Sequence, residues 1–289
     1  MKHRIDPTVD CVFKAILGKE ENKNLLIHFL NAVLEPEKGS QIKDVTIINP
    51  YNEREFIGDK LTIVDVKAVD EKDKKYQIEI QLDTHPALAS RILFTWSSIY
   101  HSQMQEGDNY KKLKPVISIW LLNGSLFGEI EECHLPFTLY NLQHKLVMTD
   151  QLAIHVLQLP KQPADRIITN EKERWIYCFR EGKNVDTDTP PEILNTKEMR
   201  QVMKVMRRFS ESQKDYLLYQ SRLDAILTRN TILKSLEEAE KKIEMTEKKM
   251  EMTVKKLDRT VKEKEQAEKK FKSLRLLLEK KGIDLPDDE

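Results

Sequence analysis

The chain has 289 residues, enough for one medium domain with appendages or two small ones. Its hydrophobic share is 39% and its charged share 33%, which implies a normal core diluted by a charge-rich segment. Lys+Arg and Asp+Glu balance at 48 each, excluding a globally basic nucleic-acid binder, so any DNA contact has to come from a local patch. Three scattered cysteines, Cys11, Cys133 and Cys178, form no CxxC pair; they fit neither a disulfide framework nor a zinc site and point to a reducing, cytoplasmic setting. The opening MKHRIDPTVD carries no apolar run of the signal-peptide kind, and no stretch reaches bilayer-spanning length, so no membrane association is expected.

Residues 8–34 show apolar positions at helical spacing, first Val9, Val12, Phe13, Ile16 and Leu17, then Leu25, Leu26, Phe29, Leu30, Val33 and Leu34. Gly18 and the charged run to Lys23 separate them, which predicts a helix pair or one broken helix. The period then changes, and residues 42–48, 61–69 and 76–82 read as strands. The short polar turn Asp70-Glu71-Lys72-Asp73-Lys74 predicts that the last two form an antiparallel hairpin. Residues 87–105 are apolar-periodic and free of Pro and Gly, hence a helix, ended by Gly107. After Pro115, the continuous apolar run 116–122 is the pattern of a buried strand. Helix, three strands, helix and strand define an α/β or α+β core over roughly the first 125 residues.

Further strands are expected around 135–142 and 153–159, and helices over 171–179 and from 192 onward, with Pro190-Pro191 as the break between them. From Leu236 the chain repeats every seven residues, from EEAEKKI (237–243) to EQAEKKF (265–271). One seam reads Leu236, Ile243, Met250, Leu257, Lys264, Phe271 and Leu278, and the other Ala239, Thr246, Thr253, Thr260, Ala267 and Leu274. A sustained heptad predicts a left-handed coiled coil, about 52 Å long over five repeats at 1.5 Å per residue. The second seam is small and partly polar, and 21 of those 35 residues are charged, so a single solvated helix held by Glu–Lys pairs is the alternative. Gly282 and Pro286 end the segment.

Alternation puts Leu61, Ile63, Asp65 and Lys67 on one face of the second strand. On the third, Gln77, Glu79, Gln81 and Asp83 oppose the apolar Tyr76, Ile78, Ile80 and Leu82. A mid-strand carboxylate is costly unless it is paired or bound to a cation. If the two strands are hairpin partners, Asp65 and Glu79 converge, and two carboxylates with a backbone carbonyl are the hard oxygen ligands that suit Mg²⁺. Such an ion can activate water and stabilise charge on a phosphodiester. Spacing alone equally allows Glu79 and Gln81 to be the solvated face of an edge strand, with Asp65 paired to Lys60 or Lys67. His144 and His155 are placed to face each other across a hairpin, without further ligands at metal spacing. No G-x-x-x-x-G-K-[ST] loop and no GxSxG elbow occurs, which disfavours ATP-driven strand exchange and serine hydrolase chemistry.

An ordered set of motifs carries more information than any one of them. It runs Asp10-x-x-Phe13-Lys14, Phe29-Leu30-Asn31-Ala32-Val33-Leu34, Ile63-Val64-Asp65-Val66-Lys67-Ala68 and Tyr76-Gln77-Ile78-Glu79-Ile80-Gln81. Arg91, Tyr100-x-x-Gln103-x-x-x-Gly107-x-x-Tyr110 and Lys114-Pro115-Val116-Ile117 follow. In this the N-terminal part resembles the recombination-promoting nuclease (Rpn) and transposase family, a branch of the PD-(D/E)XK nucleases. The resemblance implies an α/β, restriction-endonuclease-like core over 1–160 continued by a helical region over 161–233, and the heptads place the coiled coil over 234–281, which would drive self-association. It also implies Mg²⁺-dependent hydrolysis of DNA phosphodiesters, with Mn²⁺ as a substitute, in recombination, transposition-like events or the handling of foreign DNA.

Within that resemblance Asp65 and Glu79 correspond to the metal-binding acids, and Gln81 falls where the superfamily motif places Lys. Gln keeps a hydrogen-bond donor to position water but loses the cation, which Lys67 or Lys14 could supply from elsewhere. Asp10 resembles an acid that helps order the site, or else offsets a helix dipole. Arg91 and Gln103 would reach DNA from the helix that flanks the cleft, and Tyr110, Lys111 and Lys112 form the best local basic patch for backbone phosphates. A degenerate nuclease fold that binds DNA or a partner is the main alternative. A purely structural coiled-coil adaptor leaves the ordered motif set unexplained.

Overall fold

A computed structural model describes residues 3–48, 65–82, 84–163 and 167–280. The expected strand start at 61–64, Asp83, and the terminators Gly282 and Pro286 lie outside the described residues. Those described fall into two compact units, divided between Ile226 and Leu227.

The first unit opens with α1 (Asp10–Leu17) and α2 (Lys23–Leu34), the helix pair read from the sequence. Strands β1 (Val45–Ile47), β2 (Asp65–Asp70) and β3 (Lys75–Gln81) follow, then α3 (Leu88–His101), β4 (Val116–Leu122), β5 (His134–Phe137), β6 (Tyr140–Asn141), β7 (Leu146–Val147) and β8 (Leu152–Gln158). Helices α4 (Glu171–Glu181), α5 (Lys197–Glu211) and α6 (Gln213–Lys280) complete the chain. Six strands form one mixed sheet in the order β1-β2-β3-β4-β8-β5, with β3, β4 and β8 parallel and the other pairs antiparallel. The three- and four-residue edge strands β1 and β5 leave little open backbone for stray pairing.

The β2–β3 hairpin is fixed by Asp70. Its Oδ1 accepts the backbone N–H groups of Lys72 and Lys74, and its Oδ2 accepts the Tyr76 hydroxyl at 2.8 Å. Asp73 takes the left-handed φ of 61° that closes the turn. Two amides act as clips elsewhere. Asn31 bonds both the N–H and the C=O of Ile42, holding the chain that leads into β1. Gln103 does the same to Lys114. That bond draws the chain out of helical geometry after His101, so α3 is shorter than the expected 87–105, and Gly107 (φ 87°) serves the following loop instead of the helix end.

Each sheet face has its own core. On one, Val66, Tyr76, Ile78, Ile80, Ile119 and Leu121 pack with α1, α2, α4, α5 and the start of α6. Phe13, Phe29, Trp175 and Phe179 form an aromatic cluster there, with Phe29 edge-on to Trp175 at 5.4 Å. On the opposite face, α3 lays Leu88, Ile92 and Trp96 over Val116, Trp120, Leu122, Leu152, Ile154 and Val156. Both faces are covered, which is why β4 and β8 read as near-continuous apolar runs. No helix among the described residues is long and apolar enough to cross a membrane.

The expected strand over 135–142 is split: β5 joins the sheet, and β6 pairs only with β7 as a separate ribbon. His155 therefore faces His134 and not His144, which lies exposed in the ribbon's turn. His134 Nε2 and His155 Nδ1 are 2.9 Å apart in stacked rings. Burial pushes both imidazoles down to about 4, with the Lys172 charge adding to the effect. The folded protein then binds fewer protons than the unfolded chain between about pH 4 and pH 6.5, so stability is present above that window and falls as pH drops through it. Urea unfolding midpoints should decline on acidification from pH 6.5 to 4, with a shallower decline in a His134→Gln, His155→Gln double variant; equal slopes would refute the assignment.

Candidate active site

The site is built on the α3 face of the central strands. Register pairs Asp65 with Glu79 and Lys67 with Gln77 across the β2–β3 hairpin. Gln77 and Glu79 in turn pair with Ser118 and Trp120 on β4. Sequence alternation had assigned Gln77, Glu79 and Gln81 to one face, and they occupy it. That face is not solvated: β3 is an inner strand, and Arg91 of α3 reaches across it. Gln77, Glu79 and Gln81 are 0%, 1% and 2% exposed, so the edge-strand reading is overturned.

Glu79 is held at both oxygens. Arg91 Nη2 donates to its Oε1 at 2.6 Å, and Gln77 Nε2 donates to its Oε2 at 3.2 Å. Arg91 Nη1 also donates to Gln81 Oε1 at 3.1 Å, so one guanidinium bridges the two polar side chains of β3. Its carbon lies 5.7 Å from the centre of the Trp120 ring, within cation–π range. Behind Gln77 the network continues inward: Ser118 Oγ donates to Gln77 Oε1 at 3.1 Å and accepts the Trp120 indole N–H at 2.8 Å. The Glu79 carboxylate can only accept, so Gln77 turns its NH₂ toward it and its carbonyl toward Ser118, whose hydroxyl donates there while its lone pair takes the indole N–H.

Gln77 was legible only as a polar position on the right face, and Ser118 and Trp120 were absorbed in the apolar run 116–122. A hydroxyl inside an otherwise apolar buried strand was the available signal. Buried polar groups need partners, and here the partner is the acid's own support.

The other expected site residues lie elsewhere. Asp10 and Lys14 are on α1, whose buried residues pack against the opposite face. Asp10 Oδ2 is 3.5 Å from Arg222 Nε on α6 and its Oδ1 accepts the Cys11 N–H, consistent with an acid at a helix N-terminus. Gln103 spends both ends of its amide on Lys114, holding the loop that carries Tyr110, Lys111 and Lys112. That loop precedes β4, at the end opposite Gln81, roughly 20 Å away along the strands. Tyr110 is 80% exposed, while Lys112 pairs with Asp108 at 2.6 Å and Lys114 with Asp73 at 3.2 Å.

Among the described residues no three His, Cys, Asp or Glu side chains gather as a metal-binding cluster. The Cys11 and Cys178 thiols are pushed up to about 12 by burial, which keeps them protonated and removes them as nucleophiles.

A mixed α/β core with an acid pair on adjacent strands is the arrangement of a nuclease-type fold. The family model for "PD-(D/E)XK nuclease family transposase" matches residues 7–235, so the chain belongs to that family. The match spans the sheet, both covering layers and the start of α6. Neither the curated proteins nor the solved structures contain a match.

If the Trp120–Ser118–Gln77 chain supports Glu79, Ser118→Ala should leave the indole N–H and the Gln77 carbonyl without a partner. The expected loss is about 1–3 kcal/mol of unfolding free energy in urea titration. A variant as stable as the parent would show that the chain is dispensable.

Proposed function

We propose that the protein is a metal-dependent DNA endonuclease that hydrolyses phosphodiester bonds through Asp65 and Glu79. The observation that carries this is the direct pairing of the two acids across β2 and β3, with Glu79 buried and already satisfied by a cationic side chain. Directly paired positions share a sheet face, and a buried carboxylate that demands a cation is chemically suited to a hard divalent ion. Asp65 and Glu79 would hold Mg²⁺, or Mn²⁺ in its place, with further oxygen donors. Such an ion supplies positive charge for the developing phosphate oxyanion and acidifies water.

The remaining assignments divide by position. Gln81, next to Glu79 on the same face, would orient the attacking water. Lys67 would add positive charge from β2, and Asp10 and Lys14 would assist from α1. Arg91 would meet DNA beside the acids. Tyr110, Lys111 and Lys112 would track the backbone from the loop before β4, with Gln103 holding that loop in place. Free cysteines fit a cytoplasmic setting, and family membership makes recombination, transposition-like events or foreign DNA the natural context.

The purified protein should nick supercoiled plasmid with Mg²⁺ or Mn²⁺, and Asp65→Ala and Glu79→Ala should each lower the rate by 100-fold or more, on the order expected for loss of a catalytic group. Absence of nicking with either metal, or equal nicking by the variants, would leave a DNA- or partner-binding protein of nuclease fold. Gln81, neutral and bonded to Arg91, is the feature that favours this second reading.

We also propose that the second unit assembles copies of the chain as a coiled coil. Seam residues Leu236, Ile243, Met250, Leu257 and Phe271 are each more than half exposed on α6, an uncovered apolar stripe on an otherwise charged helix. Exposed i,i+4 pairs such as Lys248–Glu244 and Lys262–Asp258 support the helix itself. Truncation before Leu236, or Ile243→Lys with Leu257→Lys, should reduce the mass seen in light scattering. An unchanged mass would refute coil-driven assembly.

A further inference from the structure

The two oxygens of Glu79 are held by groups of different kinds. Oε2 faces Gln77, which is itself locked through Ser118 and Trp120, all of them 0% exposed. Because the carboxylate can only accept, the Gln77 amide turns its NH₂ toward Glu79, and Ser118, backed by the Trp120 indole, holds its carbonyl end, so this contact is anchored in the core. Oε1 faces Arg91, whose side chain is 26% exposed and reaches in from α3 on a long flexible stem. A second cation on the same carboxylate would be repelled by the guanidinium at short range in a poorly screened setting. The two cations therefore compete for Oε1.

The guanidinium has somewhere else to act. Its second nitrogen is already beside Gln81, a neutral side chain at the position where the wider superfamily motif places Lys. A planar fork of donors also matches a phosphate better than any ammonium does.

We propose that Arg91 is a displaceable counter-ion: it balances Glu79 Oε1 in the cation-free protein, and divalent metal binding exchanges it, turning the guanidinium toward the substrate phosphate beside Gln81. This makes Arg91 both a brake on metal affinity and the source of the charge that position 81 lacks. The inference rests on the reading of Asp65 and Glu79 as metal ligands.

Calorimetric titration of the full chain with Mn²⁺, without DNA, tests it. Arg91→Gln removes the competing cation and should tighten Mn²⁺ binding on the order of tenfold, a usual size for coupling between two ligands. It should also enlarge the rise in melting temperature on Mn²⁺ addition, while plasmid nicking falls. Tighter metal binding with weaker cleavage is the signature, since a merely structural arginine would lose both. Equal or weaker Mn²⁺ binding by Arg91→Gln, with Glu79→Gln abolishing binding, would overturn the exchange and leave the metal-ligand reading standing. Unchanged binding in Glu79→Gln, or no binding by the parent, would remove that reading and the exchange with it. Should Arg91→Gln not fold, Arg91→Lys is the second variant. A single ammonium cannot bridge Glu79 and Gln81 as the fork does, so Mn²⁺ binding should again tighten, and unchanged affinity would overturn the proposal.

Discussion

The pairing of Glu79 with Arg91 is the interaction around which the rest of the sheet is arranged. A carboxylate 1% exposed on an inner strand is strongly unfavourable without a cation and hydrogen bonds to satisfy it. Satisfying it requires a helix that carries a basic residue over the third strand, and α3 does this at Arg91. The same helix then needs an apolar patch to sit on, which Trp120, Leu122 and Val156 provide from the next two strands. It also requires a polar lining under the helix, and Gln77, Ser118 and the Trp120 indole form it. The apolar contacts of α3 therefore do double duty: they stabilise the layer and they keep water off an ion pair whose strength depends on its absence.

Much of the framework was legible in the sequence because it follows two periods. The helical spacing of 8–34 and the apolar run of 116–122 correspond directly to α1, α2 and β4. The hairpin was legible too, since Asp70 to Lys74 is polar and short and Asp70 has acceptors for three donors. The position of β3 inside the sheet was not. A strand that alternates Tyr, Gln, Ile, Glu, Ile and Gln reads as half-solvated, and only the crossover through α3, which places β4 parallel beside it, shows that the polar face is roofed. Alternation identifies a face but not what covers it.

Arg91 illustrates a second limit. In the sequence it is one basic residue on a predicted helix, ten positions beyond Gln81 and twelve beyond Glu79, and its two bonds to β3 depend on the crossover's geometry. The amide clips show the reverse case. Asn31 and Gln103 sit in motifs that resemblance ties to a nuclease family, and Gln103 was read as a DNA contact. Both bond the backbone of a residue eleven positions on, fixing the loops that lead into β1 and β4. A motif residue can be needed for the site because it shapes the chain that carries the site.

The two faces of the sheet consequently have different tasks. The face under α1, α2, α4 and α5 is closed chiefly by aromatic and aliphatic packing, with Asp10 and Arg222 paired beside it. Among the described residues the α3 face is covered by a single helix, and it carries polar groups through its interior. A single covering helix is the cheaper layer to adjust: one arginine rotamer can change there without disturbing the larger core on the other side. A residue that must alternate between a buried acid and an incoming phosphate is best placed on such a helix, with its charge at the sheet and its side chain partly exposed, and Arg91 is placed that way. The neutral Gln81 beneath it is then no defect in the acid pair's surroundings. On the proposed exchange, a fixed lysine at that position would compete for the same carboxylate, whereas a glutamine would hold the guanidinium when no metal is bound and release it without leaving a second buried charge behind.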